Sequence, residues 1–178
     1  KRGHGKSTVA SQIAVSAVSE GYRTFFYSGE LNDWQLQGWF ERQVAGGKYI
    51  NAARAQSGYV RYTIDAEYEH AIMKWYEDSV YIYDNETSRN LETTEEEALI
   101  DTLKTVIKQY DCKVLIIDNL MTAIDDDLAS DLYRAQSKFV GNLAALAKRY
   151  EVFILLIAHP RKQNGDIKND DVAGSSNI

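Results

Sequence analysis

Apolar positions along this chain fall into two alternating kinds of run, short continuous ones of strand length and longer ones spaced at three and four residues. The short runs are residues 24–27, 80–83, 114–117 and 152–158, and they predict strands. The last two are continuous enough to be expected buried on both faces of a sheet. Ala10, Ile13, Ala14 and Ala17 mark one face of a helix that follows Lys6 and stops at Gly21, where a C-terminal cap belongs. A second helix follows Leu31, with Asn32 or Asp33 as its cap, and ends near residues 46–47; a third covers residues 66–78. Thr94 and Glu97 are spaced as a capping box, and Leu99, Leu103, Val106, Ile107 and Tyr110 then share one helical face. A fifth helix runs from Leu132 through Phe139, Leu143 and Leu146 to Tyr150. These stripes read as core, and Trp34, Trp39 and Trp75, lying within helical patterns, read as packing rather than as base-stacking platforms.

Strands alternating with amphipathic helices predict an α/β fold, a mostly parallel twisted sheet flanked by helices. With 178 residues, one proline and no Gly- or Ser-rich linker, the chain reads as one domain over residues 1–178. No apolar run is long enough to span a bilayer, so a soluble protein with no membrane partner is expected. Cys112 is the only cysteine, which excludes a disulfide framework and a Cys-based zinc site and agrees with a cytoplasmic setting. The formal net charge of −6 excludes a surface that attracts nucleic acid globally, so any such contact must be a local patch or arise in a ring of subunits.

The chemistry is concentrated at the start. Gly5, Lys6 and Ser7 supply the last three positions of the pattern G-x-x-x-x-G-K-S/T, whose first glycine would fall one place before Lys1. The motif is therefore expected to begin upstream, with the domain truncated at both ends. In such a loop backbone N–H groups turn in on a phosphate, the Lys ammonium reaches the outer phosphates and the hydroxyl binds Mg²⁺. The helix that follows adds its own N-terminal dipole and unpaired N–H groups.

Residues 114–117 end in Asp118, four apolar residues and a carboxylate, the form of a Walker B strand. Many strands end in Asp for turn reasons, but joined to Gly5-Lys6-Ser7 this one is expected to help hold Mg²⁺. Glu30 follows the first strand, and a carboxylate delivered there can orient and deprotonate a water that attacks the γ-phosphate. A surface carboxylate near a helix start is the alternative. His159 closes the last apolar run, placed either to hydrogen-bond the γ-phosphate and move the following loop or simply to end a strand. That loop, with Arg161, Lys162, Lys168, Gly174, Ser175 and Ser176, suits a sequence-blind grip on single-stranded backbone, although Asp166, Asp170 and Asp171 partly cancel its charge. On composition alone it reads more readily as an ordinary solvated loop. Asp125, Asp126 and Asp127 read as a solvated loop and helix cap rather than a second cation site.

In order, Lys1 to Thr8, Ser28-Gly29-Glu30-Leu31, residues 114–119, His159-Pro160-Arg161-Lys162 and residues 171–176 resemble the RecA-like motor domain of hexameric replicative DNA helicases. The resemblance is to the DnaB type, and within it to the Twinkle-like and phage primase-helicase branch. It implies ATP and Mg²⁺ as cofactors, a homo-oligomeric ring of six with ATP between neighbours, and translocation on single-stranded DNA to unwind duplex. Carried over by position, Arg2, Gly3, His4, Gly5, Lys6, Ser7 and Thr8 form the nucleotide-binding loop. Lys6 and Glu30 serve catalysis, Ser7 and Asp118 the metal, and His159 reports the γ-phosphate to a DNA loop spanning Arg161 to Ser176. A primase or helicase loader is the further partner so implied, and the family's arginine finger lies beyond the last residue of this sequence.

Other readings share these motifs, among them a nucleotide-gated binding module too slow to be a motor, against which Glu30 argues. A RecA-fold recombinase or clock-type ATPase uses the same P-loop, Glu and Asp without unwinding. A P-loop small-molecule kinase needs an arginine-rich lid that the sequence lacks.

Overall fold

The computed structural model describes residues 5–84, 95–120, 123 and 132–158. Helix α1 spans Lys6–Ser19 and strand β1 Thr24–Ser28; α2 covers Asp33–Ala45, and a single 3₁₀ turn, Gly47–Tyr49, leads into β2, Ile50–Arg54. Then come β3, Val60–Ile64; α3, Ala66–Tyr76; β4, Val80–Ile82; α4, Glu95–Tyr110; β5, Val114–Asp118; α5, Leu132–Tyr150; and β6, Phe153–Ile157. Every strand and helix expected from the pattern is present, with ends shifted by a residue or two. The capping box at Thr94 and the acidic run 125–127 lie outside the described residues.

Four strands form one sheet in the order β4-β1-β5-β6, and every pairing in it is parallel. Alternation along the strands sends side chains to opposite faces and so builds two apolar layers. Phe26, Val114 and Ile116 meet Ala10, Ala14 and Val18 of α1 and Leu36 and Phe40 of α2. On the other face Phe25, Tyr27, Leu115 and Ile117 meet Leu99, Leu103, Val106 and Ile107 of α4 and Phe139, Leu143 and Leu146 of α5. Helices thus cover both faces, as a parallel sheet requires.

The fold departs from the sequence pattern in three places. Strand β5 is buried throughout, but β6 is only partly covered and Phe153 is 53% exposed, because β6 is the outer strand of the described sheet and pairs with β5 alone. Tyr110 does not join the α4 core face; it is exposed and lies tilted on the Tyr81 ring. The hairpin of β2 and β3, antiparallel and turned at Gly58, was not expected at all. Most of its residues are exposed, so no apolar alternation announces it, and Ser57-Gly58 directly before Tyr59-Val60 is the one signal.

Candidate functional site

Strands β1 and β5 run side by side with Ser28 opposite Asp118, so their carboxyl ends finish at the same level of the sheet. Beyond that level the chains remain tied: the Gly29 N–H donates to the Asp118 carbonyl at 2.9 Å, and the Leu120 N–H donates to the Ile157 carbonyl at 2.8 Å. The Leu31 N–H donates to the Ser28 hydroxyl at 3.1 Å, which turns the chain sharply after β1 and sets Glu30 over the strand ends. In open α/β sheets this carboxyl edge is where ligands bind.

Gly5 opens α1 from the left-handed region at φ 76°, a conformation that costs a residue with a Cβ roughly 1–2 kcal/mol. Among the described residues no side chain caps the N-terminus of α1 and no carboxylate lies in its first turn, which makes the first-turn N–H groups suited to an anion. Lys6 and Ser7 occupy that first turn, partly buried, and Thr8 is exposed with its carbonyl accepting a hydrogen bond from Gln43 Nε2 at 3.0 Å. The hydroxyl of Ser7 donates to Asp118 Oδ2 at 2.5 Å, across 111 residues of sequence. Asp118 is 4% exposed.

Hydroxyl and carboxylate oxygens in contact at a helix N-terminus are the donor set that suits Mg²⁺, which takes hard oxygen ligands and leaves the rest of its shell to water and phosphate. Among the described residues no group of three or more His, Cys, Asp or Glu gathers that would hold a metal by protein ligands alone. Ser7 and Asp118 fit a cation that would be shared with a bound phosphate.

Glu30 is exposed at the same edge, and Asn119, 1% exposed, donates its side-chain Nδ2 to Glu30 Oε1 at 2.9 Å. Sequence reasoning assigned Asn119 no part; its position directly after Asp118 was the available signal. Gly5, Lys6, Ser7, Asp118 and Glu30 are therefore gathered at one edge of the sheet by α1, β1 and β5. Arg2, Gly3, His4, His159, Arg161, Lys162, Lys168, Gly174, Ser175 and Ser176 lie outside the described residues.

The tryptophans depart from expectation. Trp34, Trp39 and Trp75 are 65%, 38% and 42% exposed, because α2 and α3 turn Leu36, Phe40 and Ile72 inward and leave the indoles on their outer faces. Trp34 and Trp39 line a groove of about 1010 Å³ with Arg42 and with Tyr59, Arg61 and Tyr62 of the unexpected hairpin.

A three-layer α/β/α arrangement with a P-loop helix N-terminus, a hydroxyl–carboxylate pair and a second carboxylate at the carboxyl edge of a parallel sheet defines a RecA-like P-loop nucleoside triphosphatase. The sequence model of the AAA domain family matches residues 1–165, and the chain belongs to that family. Among the described residues no helix is long and apolar enough to cross a membrane.

Proposed function

We propose that this AAA-domain ATPase is the motor domain, spanning residues 1–178, of a ring-forming replicative DNA helicase that hydrolyses ATP to move along single-stranded DNA. The observation that carries the ATPase chemistry is the convergence of Ser7, Asp118 and Glu30 at the joined ends of β1 and β5 beside the start of α1. The order of motifs, a Glu after the first strand and a His-Pro-Arg-Lys loop leading to a Gly-Ser segment, supports the helicase reading over other users of the same fold.

In this mechanism the α1 N–H groups and the Lys6 ammonium hold the β- and γ-phosphates. Ser7 Oγ and Asp118 hold Mg²⁺, which supplies neutralisation of phosphate charge when bound. The Glu30 carboxylate accepts a proton from the attacking water, while the sheet edge keeps that water aligned with the γ-phosphorus. His159 senses the γ-phosphate, and Arg161, Lys162, Lys168, Gly174, Ser175 and Ser176 grip the DNA backbone. Six copies in a ring, together with a primase or loader, complete the assembly.

The test is forked-duplex unwinding by the full-length protein with ATP, beside its Glu30→Gln variant. ATP-dependent strand separation that the variant loses is the expected result. ATP turnover without strand separation would instead fit a recombinase-like or clock-type ATPase.

A further inference from the structure

We infer that Asn119 is a positioning residue for Glu30, holding the carboxylate in the orientation in which it meets the attacking water. The inference rests on the proposed reading of Glu30 as general base and adds to it the group that aims it. Glu30 lies past the end of β1, exposed, on a side chain with three rotatable torsions. Left alone it would be spread over many rotamers, and a general base must lie within hydrogen-bond reach of the proton it takes.

Asn119 has the opposite character. It is buried, and the backbone on either side of it is pinned, the Asp118 carbonyl by the Gly29 N–H at 2.9 Å and the Leu120 N–H by the Ile157 carbonyl at 2.8 Å. Its backbone is therefore fixed relative to the sheet, and the 2.9 Å bond from its buried side chain to Oε1 ties Glu30 to that frame. The polarity of the bond is set by chemistry, since an ionised carboxylate only accepts and so faces the amide nitrogen.

The choice of an amide also matters. A Lys or Arg would bring a charge of its own to the carboxylate; an amide gives one directed hydrogen bond without adding a charge beside the site. Because Asn119 adjoins Asp118, a single two-residue segment at the end of β5 sets both the carboxylate paired with Ser7 and the aim of the base. Displacement of that segment would disturb both together.

The experiment is a cycle of ATP hydrolysis and nucleotide-affinity measurements on the full-length protein and its Asn119→Ala, Asn119→Asp, Glu30→Gln and doubly changed Glu30→Gln/Asn119→Ala variants. Asn119→Ala is expected to lower kcat by about 10–100-fold, the cost of a misplaced reacting group, with nucleotide affinity within about twofold. Asn119→Asp keeps the shape of the side chain, removes the donor and sets like charges together, so its kcat falls at least as far. The doubly changed protein is expected to turn over no more slowly than Glu30→Gln alone, since a residue acting through Glu30 has nothing left to aim. Normal kcat in both Asn119 variants beside an inactive Glu30→Gln protein would overturn this inference and leave the base in place. So would losses that add in the double variant, or a loss that lies wholly in nucleotide affinity. Full turnover by Glu30→Gln would overturn the reading of Glu30 itself.

Discussion

Asp118 is a carboxylate at the end of an otherwise apolar strand, 4% exposed, where burial disfavours its charge unless that charge is matched. The Ser7 hydroxyl donates one hydrogen bond to it, and a Mg²⁺ ion bound there would add to that pairing. Lys6 stands one residue away in the first turn of α1, so Lys6→Ala should abolish nucleotide binding or turnover while leaving the fold intact. Titration with a fluorescent ATP analogue checks this, and unchanged affinity together with unchanged turnover would remove Lys6 from the site. Glu30→Gln should behave differently, keeping nucleotide affinity and losing on the order of 10²–10⁴ in turnover, the usual worth of a general base. Cys112 gives a control away from the site. It is fully buried among α4, α5 and β5, and that burial pushes its thiol up to about 12. In the unfolded chain the thiol titrates at about 8.5. Between those values the folded state keeps a proton that the unfolded state has lost, so this residue's contribution to stability declines as pH rises through that window. Below it, the native thiol should resist alkylation at pH 8 and label quickly only on unfolding; prompt labelling of the native protein would contradict its burial.

At the scale of elements, α2 is held to α3 by a half-buried polar cluster. Glu41 of α2 is 7% exposed, and its Oε1 accepts hydrogen bonds from the Tyr76 hydroxyl at 2.6 Å and from Gln37 Nε2 at 2.9 Å. Burial, and then the neighbouring Glu41 carboxylate, push the Tyr76 phenol up, so it stays protonated and remains a donor. Tyr76→Phe keeps the edge-on packing against Phe40 but leaves the carboxylate short of a donor, and should cost about 1–3 kcal/mol in chemical denaturation. A midpoint unchanged from the parent would show that the cluster contributes nothing. The same elements show what the sequence made legible. Continuous apolar runs disclose β1 and β5 because both faces of each are buried, 3.6-residue stripes disclose α1 and α4 because one face of each is, and Lys6, Ser7, Glu30 and Asp118 announce themselves by motif and by position after a strand. The β2–β3 hairpin leaves no such trace, since exposed residues are free of the alternation that burial imposes. Trp34, Trp39 and Trp75 misled for a related reason: large aromatic side chains suit a core, but the positions turned inward are Leu36 and Phe40 on α2 and Ile72 on α3. Asn119 was hidden because only the pairing of β1 with β5 brings it to Glu30, 89 residues earlier in the chain.

For the molecule as a whole, a net charge of −6 means that a grip on a polyanion must be local. In the proposed motor that grip is the segment from Arg161 to Ser176, and changing Arg161 and Lys162 together to Ala should weaken DNA-stimulated turnover far more than basal turnover. Equal loss of both rates would place those residues in the catalytic machinery and not in DNA contact. The proposal also requires that hydrolysis at the β1 and β5 ends and DNA binding be coupled, which is the claim that separates a motor from an ATPase that only assembles. Steady-state ATP hydrolysis by the full-length protein, with and without single-stranded DNA and beside Glu30→Gln, tests it most directly. Strong stimulation by DNA that disappears in the variant is the predicted result. Turnover indifferent to DNA would contradict it and return the protein to the clock-type ATPases or kinases that share its P-loop.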